Sequence, residues 1–136
     1  MATLSRYFDT SEDTLTITLT SLADGSGADS SAIDNSSDKF IDADLTIKSN
    51  GTASSTGLLE IYLLASNDNT DFTDSANAKL IGTVLMNGTT AVKKVIRIYD
   101  LPKHYKIRVV NNSGAALSAT GGDHELTLLG NSFTDA

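Results

Sequence analysis

Apolar and polar residues alternate with a period of two along most of this chain, the signature of strands that bury one face. Leu15, Ile17 and Leu19 alternate with Thr14, Thr16, Thr18 and Thr20. Ile41, Ala43, Leu45 and Ile47 alternate with Asp42, Asp44, Thr46 and Lys48. Leu59, Ile61 and Leu63 form one face of the next run, while Leu58, Tyr62 and Leu64 share the other with Glu60, which predicts a strand covered on both sides. Further runs lie at 79–86, 91–99, 103–110 and 124–129. No stretch carries a sustained 3.6-residue period. The pattern predicts an all-β antiparallel sandwich of jelly-roll or related Greek-key type, with seven to eight strands. Its expected core holds Leu15, Ile17, Leu45, Ile47, Ile61, Leu63, Ile96, Ile98, Ile107, Val109, Leu126 and Leu128.

The connectors fit this plan. Asn50-Gly51 and Asn87-Gly88 are turn dipeptides that tolerate positive φ, and the single proline, Pro102, separates two strands. Residues 14–136 read as one domain, with two segments set apart. Residues 1–13 form an N-terminal arm before the first clear strand, carrying the adjacent rings Tyr7 and Phe8. Residues 21–38 form a long Gly/Ser/Asp-rich loop whose larger apolar residues are Leu22 and Ile33, and nothing obvious pins it. Loops of this length often bind, so Tyr7, Phe8, Leu22 and Ile33 are candidate partner-binding residues. Phe72, in a loop placed to present its ring, joins them.

Composition then narrows the function. The 136 residues include no Cys and no Trp and two His, which excludes disulfides, thiolate metal sites and thiol catalysis. Residues 1–78 hold 13 acidic and 3 basic side chains; residues 79–136 hold 4 acidic and 7 basic, so the net −7 is about −10 followed by +3. Net acidity argues against nucleic acid as a partner. Six cations between Lys93 and Arg108 read as a solvated strand face, or as a patch that meets an acidic partner. The N-terminus lacks an apolar run of signal-peptide length, and no run reaches the ~20 residues of a membrane-spanning helix. No export by a cleaved signal and no membrane are expected.

Candidate chemistry is sparse. His104 and His124 are the only imidazoles, no Gly-x-Ser-x-Gly elbow is present, and both His read as surface strand residues. Glu60 is the one carboxylate out of place for glycoside hydrolysis, and a cationic neighbour on the sheet explains it more simply. Asn67, Asp68, Asn69, Asp71 and Asp74 offer oxygen ligands, but no Gly or Glu stands where an EF-hand needs it. Residues 67–74 therefore read as a turn capped by its own side chains, with no metal. Tyr105 shares a face with Ile107 and Val109 and reads as core. No catalytic residue and no cofactor are assigned; the chain reads as a non-enzyme.

The run Leu-Leu-Glu-Ile-Tyr-Leu-Leu-Ala-Ser-Asn-Asp-Asn-Thr-Asp-Phe-Thr-Asp, 58–74, is followed by Leu80-Ile81-Gly82-Thr83. Then come Leu101-Pro102-Lys103-His104-Tyr105-Lys106-Ile107-Arg108-Val109-Val110-Asn111-Asn112-Ser113-Gly114 and Ala115-Ala116-Leu117. Over roughly 58–130 this resembles small virion structural proteins of tailed bacteriophages. The resemblance implies a capsid decoration, or cement, protein on the capsid surface, made in the bacterial cytoplasm. Its partner would be the major capsid protein, and a homotrimer is the implied assembly. The alternative is a carbohydrate- or receptor-binding module of a tail.

Overall fold

Alternation becomes burial most clearly in the middle of the molecule, which the computed structural model describes over residues 4–135. Ten strands form: β1 (Leu4–Phe8), β2 (Asp13–Thr14), β3 (Gly27–Asp29), β4 (Ile33–Asp34), β5 (Asp42–Ser49), β6 (Leu58–Ser66), β7 (Lys79–Leu85), β8 (Val92–Ile98), β9 (His104–Asn112) and β10 (Glu125–Asp135). In β5, Ala43, Leu45, Ile47 and Ser49 are buried while Asp42, Asp44, Thr46 and Lys48 are not. The same rule places Leu59, Ile61 and Leu63 of β6 and Tyr105, Ile107 and Val109 of β9 in the core.

One sheet runs β1, β10, β5, β8, with β2 also on β10; the other runs β3, β9, β6, β7, with β4 also on β9. Every ladder is antiparallel. β1 and β2 share one side of β10, and β3 and β4 share one side of β9, so ten segments occupy eight positions. The chain crosses between sheets from β2 to β3, β4 to β5, β5 to β6, β7 to β8, β8 to β9 and β9 to β10, the wiring of a jelly roll.

Ten of the twelve expected core residues are at most 6% exposed; Leu15 and Ile17 are only partly buried against that core. Their segment differs from expectation. The strand read over 14–20 ends at Thr14, because the chain there turns the corner between sheets. Leu15 N–H donates to Leu126 O (2.8 Å), Thr16 O accepts from Ser31 N–H (2.9 Å), and Ser21 N–H donates to Ser118 O (3.0 Å). These backbone groups are shared between partners rather than held in one ladder. Nor is β6 covered on both sides: Leu64 is buried, but Leu58 is 38% exposed and Tyr62 is half-buried.

Two further readings are corrected. Residues 4–8, read as part of an arm outside any strand, form β1 and pair Leu4–Phe8 with Asp135–Asn131; residues 1–3 lie outside the described residues. The 21–38 loop is pinned from several sides. Buried Ser30 donates its N–H to Ile107 O (2.8 Å), and its hydroxyl accepts from Ile107 N–H (3.0 Å), bridging the gap between β3 and β4. Asn35 accepts from Phe40 N–H (2.9 Å) and donates to Phe40 O (2.8 Å). At the other end Asn111, fully buried, donates to Leu22 O and Ala115 O (2.8 Å each) and accepts from Ser113 N–H (3.0 Å) and its hydroxyl (2.7 Å).

Of the two turn dipeptides, Gly88 uses positive φ (56°), whereas Gly51 does not; a Cβ at Gly51 would collide with the Ser55 side chain. Gly51 is there for close approach.

Truncation should separate core from surface. Ile107→Ala, at a fully buried site, is expected to lose about 2–5 kcal/mol in chemical denaturation. Val95→Ala, on the exposed face of β8, should change stability by less than about 0.5 kcal/mol.

Candidate binding surface

Of the groups that could carry catalysis, His124 and Glu60 are engaged in hydrogen bonds, whereas Nδ1 of buried His104 has no hydrogen-bond partner among the described residues. His124 Nε2 lies 2.9 Å from Ser118 O, an acceptor, so Nε2 carries the proton and Nδ1 accepts from the Ser49 hydroxyl at 2.8 Å. Both ring nitrogens are spent on bridging β5 to the loop before β10. His104 is 7% exposed, with Nδ1 3.4 Å from Asp34 Oδ1. Neither is the surface residue the pattern predicted, because β4 and the 118–124 loop fold over them. Glu60 has no cation beside it. It accepts from the Tyr62 hydroxyl and from the Asn112 side-chain amide (2.8 Å), and these bonds hold its carboxyl below the usual range.

Loop 67–74 is capped by its own side chains. Asp68 Oδ1 accepts from Asp71 N–H (2.8 Å), Thr70 N–H (2.9 Å) and the Ser66 hydroxyl (3.0 Å), which brings its pKa down to about 2. Asp74 caps the following single turn of 3-10 helix, Ser75–Asn77, by accepting from Asn77 N–H. Phe72 does not stand free: it is half-buried, with Lys106 Nζ 4.5 Å from its ring centre. A shallow open dish lies beside it, lined by Ala65, Ser66, Asn67, Asp71, Phe72 and Thr73. A cavity of about 40 Å³ lies against the buried Tyr105, close to the volume of one water. Burial, with the nearby charges of Asp13 and Asp38, pushes the Tyr105 phenol well above its ordinary pKa.

The largest grouping of exposed rings is the outer face of the β1–β10–β5–β8 sheet. Opposed residues share a face, so Arg6 lies beside Phe133, Phe8 beside Asn131, Asn131 beside Asp42, and Asp44 between Leu129 and Arg97. Leu4 is 67% exposed, Phe8 46%, Phe133 53%, Val95 58% and Tyr99, just past β8, 61%. Polar groups between these apolar ones are fixed. Arg97 forks onto Asp44 (Nε–Oδ1 2.6 Å, Nη2–Oδ2 3.1 Å), which raises its pKa, with the charges of Tyr99 and Asp42 adding to the effect. Arg6 donates to Asn131 Oδ1 (2.6 Å), lies 3.5 Å from Asp42 Oδ2, and sits 5.5 Å from the Phe8 ring centre and 5.9 Å from that of Phe133.

Of the residues singled out from sequence, only Phe8 belongs to this face. Tyr7, 40% exposed, points to the opposite side of β1. Leu22 and Ile33 are partly buried and pack against the core, because the loop that carries them is tied to β9. Missed were Arg6, Arg97, Tyr99 and Phe133; the match of Asp42 and Asp44 with Arg97 across a strand pair was the signal available. The six cations from Lys93 to Arg108 form no single patch, since β8 and β9 lie in different sheets. Arg97 is paired with Asp44, Arg108 with Asp29 (2.8 Å), Lys106 with Phe72, and Lys94 donates to Thr83 O (2.7 Å).

No protein-family model matches the chain, and no curated protein does. Among solved structures the chain is similar to the CBM22-1 xylan-binding domain from Paenibacillus barcinonensis Xyn10C, with a TM-score of 0.45 at 8% identity over 96% of this chain and 86% of that one. No ligand is carried over from so distant a likeness.

Two outcomes follow from the polar contacts. The Asp68 carboxyl, followed by NMR, is expected to titrate near 2 rather than near the ordinary ~3.9. Its pKa is depressed in the fold, so its stabilisation is complete above about pH 4 and is lost as pH falls through about 2. His124→Ala strands the buried Ser49 hydroxyl and leaves the Ser118 carbonyl only its bond from Ser21 N–H, and should cost about 1–3 kcal/mol in urea unfolding.

Proposed function

We propose that this chain is a non-enzymatic structural protein of a phage virion, one that docks on the assembled shell of the major capsid protein and ties neighbouring capsomers together. The observation that carries this reading is the outer face of the first sheet. Leu4, Phe8, Val95, Tyr99 and Phe133 remain exposed around two anchored arginines. Apolar patches of this kind mark protein contacts, and aromatic residues and Arg are the side chains enriched there. Arg6 and Arg97 are already held by Asn131 and Asp44, so little side-chain freedom is left to lose when a partner arrives. The resemblance to phage virion proteins names the partner. A jelly roll serves such a role well, because its two packed sheets bury one face of each and leave a whole outer face for contact.

A carbohydrate- or receptor-binding module of a tail is the second reading. Its support is the pairing on one face of exposed rings with planar hydrogen-bonding groups, Arg97–Asp44 above all, a combination that also suits sugars.

Co-sedimentation with shells that lack the protein tests the first reading. The wild type is expected to pellet with them. Tyr99→Ser combined with Phe133→Ser should weaken binding at least about tenfold, the loss of one or two ring contacts, whereas Leu80→Ser on the other sheet should not. Undiminished shell binding by the double variant would overturn the assignment of the face. Particle microscopy with few copies at the tail and none on the head would overturn the decoration role in favour of the second reading.

A further inference from the structure

We infer that two copies of this chain join edge to edge through β1, antiparallel about a two-fold axis at Tyr7. The starting point is a part of the sheet that its own chain leaves incomplete. β5 accompanies β10 only from Lys48 opposite Glu125 to Asp42 opposite Asn131. Beyond that point residues 132–135 pair with β1 alone, Ser132 with Tyr7 through Asp135 with Leu4. The molecule therefore ends in a two-stranded ribbon made of its first and last strands. An isolated two-stranded ribbon is marginal in water, and a third strand is what stabilises it.

The ribbon exposes apolar side chains on one face and, on a face otherwise of Ser and Thr, one ring. Leu4 (67% exposed), Phe8 (46%) and Phe133 (53%) lie on one, and Tyr7 (40%) on the other. All five residues of β1 are exposed, and β1 is the last strand of its sheet, so its outer backbone edge has no ladder partner among the described residues. Devices that blunt an edge are missing from Leu4–Phe8: there is no proline, no lysine and no break in register. The single charge, Arg6, is drawn onto Asn131 and toward Asp42.

A second copy answers this need best. Two ribbons joined at their β1 edges make one four-stranded sheet, and both open edges are closed by a single isologous contact. A foreign strand would close one edge and leave its own open.

The side chains select the register. In a two-fold antiparallel pair, opposed residues share a face, so the axis must pass through a residue position. An axis at Arg6 pairs the whole of Leu4–Phe8 but sets Arg6 against Arg6, a like-charge opposition. An axis at Ser5 or at Tyr7 pairs three residues of β1; the Ser5 axis leaves out both rings, Tyr7 and Phe8, whereas the Tyr7 axis leaves out Leu4 and Ser5. An axis at Tyr7 sets Tyr7 against Tyr7 and Arg6 against Phe8 of the second copy. Arg6 already makes that contact with Phe8 and Phe133 of its own chain.

The sequence has no cysteine, so an introduced one reports cleanly. Sedimentation equilibrium of the wild type is expected to show an even-numbered assembly, and Tyr7→Lys should shift it to monomer while the circular dichroism stays unchanged. Tyr7→Cys, oxidised mildly, is expected to give a disulfide-linked dimer, since opposed Cβ atoms in such pairs lie about 4.5–5.5 Å apart. Ser5→Cys, which faces Asp9 of the second copy in this register, should crosslink far more slowly. A wild type that stays monomeric at its highest soluble concentration would overturn the inference. So would a trimer, or equal crosslinking at positions 5 and 7.

Discussion

The arrangement of this molecule hangs on one buried side-chain amide. Asn111 sits on the inward face of β9, opposite Leu59, where an apolar residue would continue the pattern of Tyr105, Ile107 and Val109. Its four hydrogen bonds take both donors and both lone pairs, so burial leaves nothing unsatisfied. The bonds reach Leu22 from one side and Ser113 and Ala115 from the other. The chain passing from the first sheet to the second is thus fastened to the loop that passes back. Its backbone joins in: Asn111 O accepts from Gly25 N–H (2.6 Å) and Asn111 N–H donates to Ser26 O (2.8 Å). A leucine here would fill the space but orphan the Ser113 N–H and strip a hydrogen bond each from Leu22 O and Ala115 O, which is why a polar residue stands at the end of an apolar strand face.

How much of this was legible in the sequence depended on the distance between the partners. Period-two alternation is local, and it located β5 to β10 and all but two of the expected core residues. What fixes the 21–38 segment is not local: Ser30 bonds Ile107 and Asn111 bonds Leu22, 77 and 89 positions away. Read alone, those residues are ordinary loop-formers. β1 was hidden for another reason. Leu-Ser-Arg-Tyr-Phe has no clean alternation, because neither of its faces is buried in its own domain. The same holds for Phe133 and Tyr99, whose exposure no pattern announces; Leu22 and Ile33 drew attention as apolar residues in a polar loop, and that isolation was the mark of an anchor to the core.

The charge asymmetry along the chain is met in part by pairing between its halves. Asp44 in the acidic half meets Arg97 in the basic half, and Asp29 meets Arg108. Both contacts follow from jelly-roll wiring, which sets β5 beside β8 and β3 beside β9. Such partly exposed pairs are each worth little, on the order of 0–1 kcal/mol, but they set which strands are compatible neighbours.

The pairing of β1 with the end of β10 also orders events during synthesis. Leu4 pairs with Asp135 and Phe8 with Asn131, so a strand made early waits for one made much later. At about 5–20 residues per second, the 123 to 131 positions between partners correspond to roughly 6–26 s. Through that interval Leu4, Tyr7 and Phe8 trail from a nascent chain without a strand to lie on. β5 to β9 are already made, but Leu126 and Leu128 of β10 complete the core, so the first sheet fills only when β10 arrives. The step that completes this edge of the sheet is the docking of β1 onto β10, and a crowded polysome offers β1 neighbouring copies of β10 as well as its own.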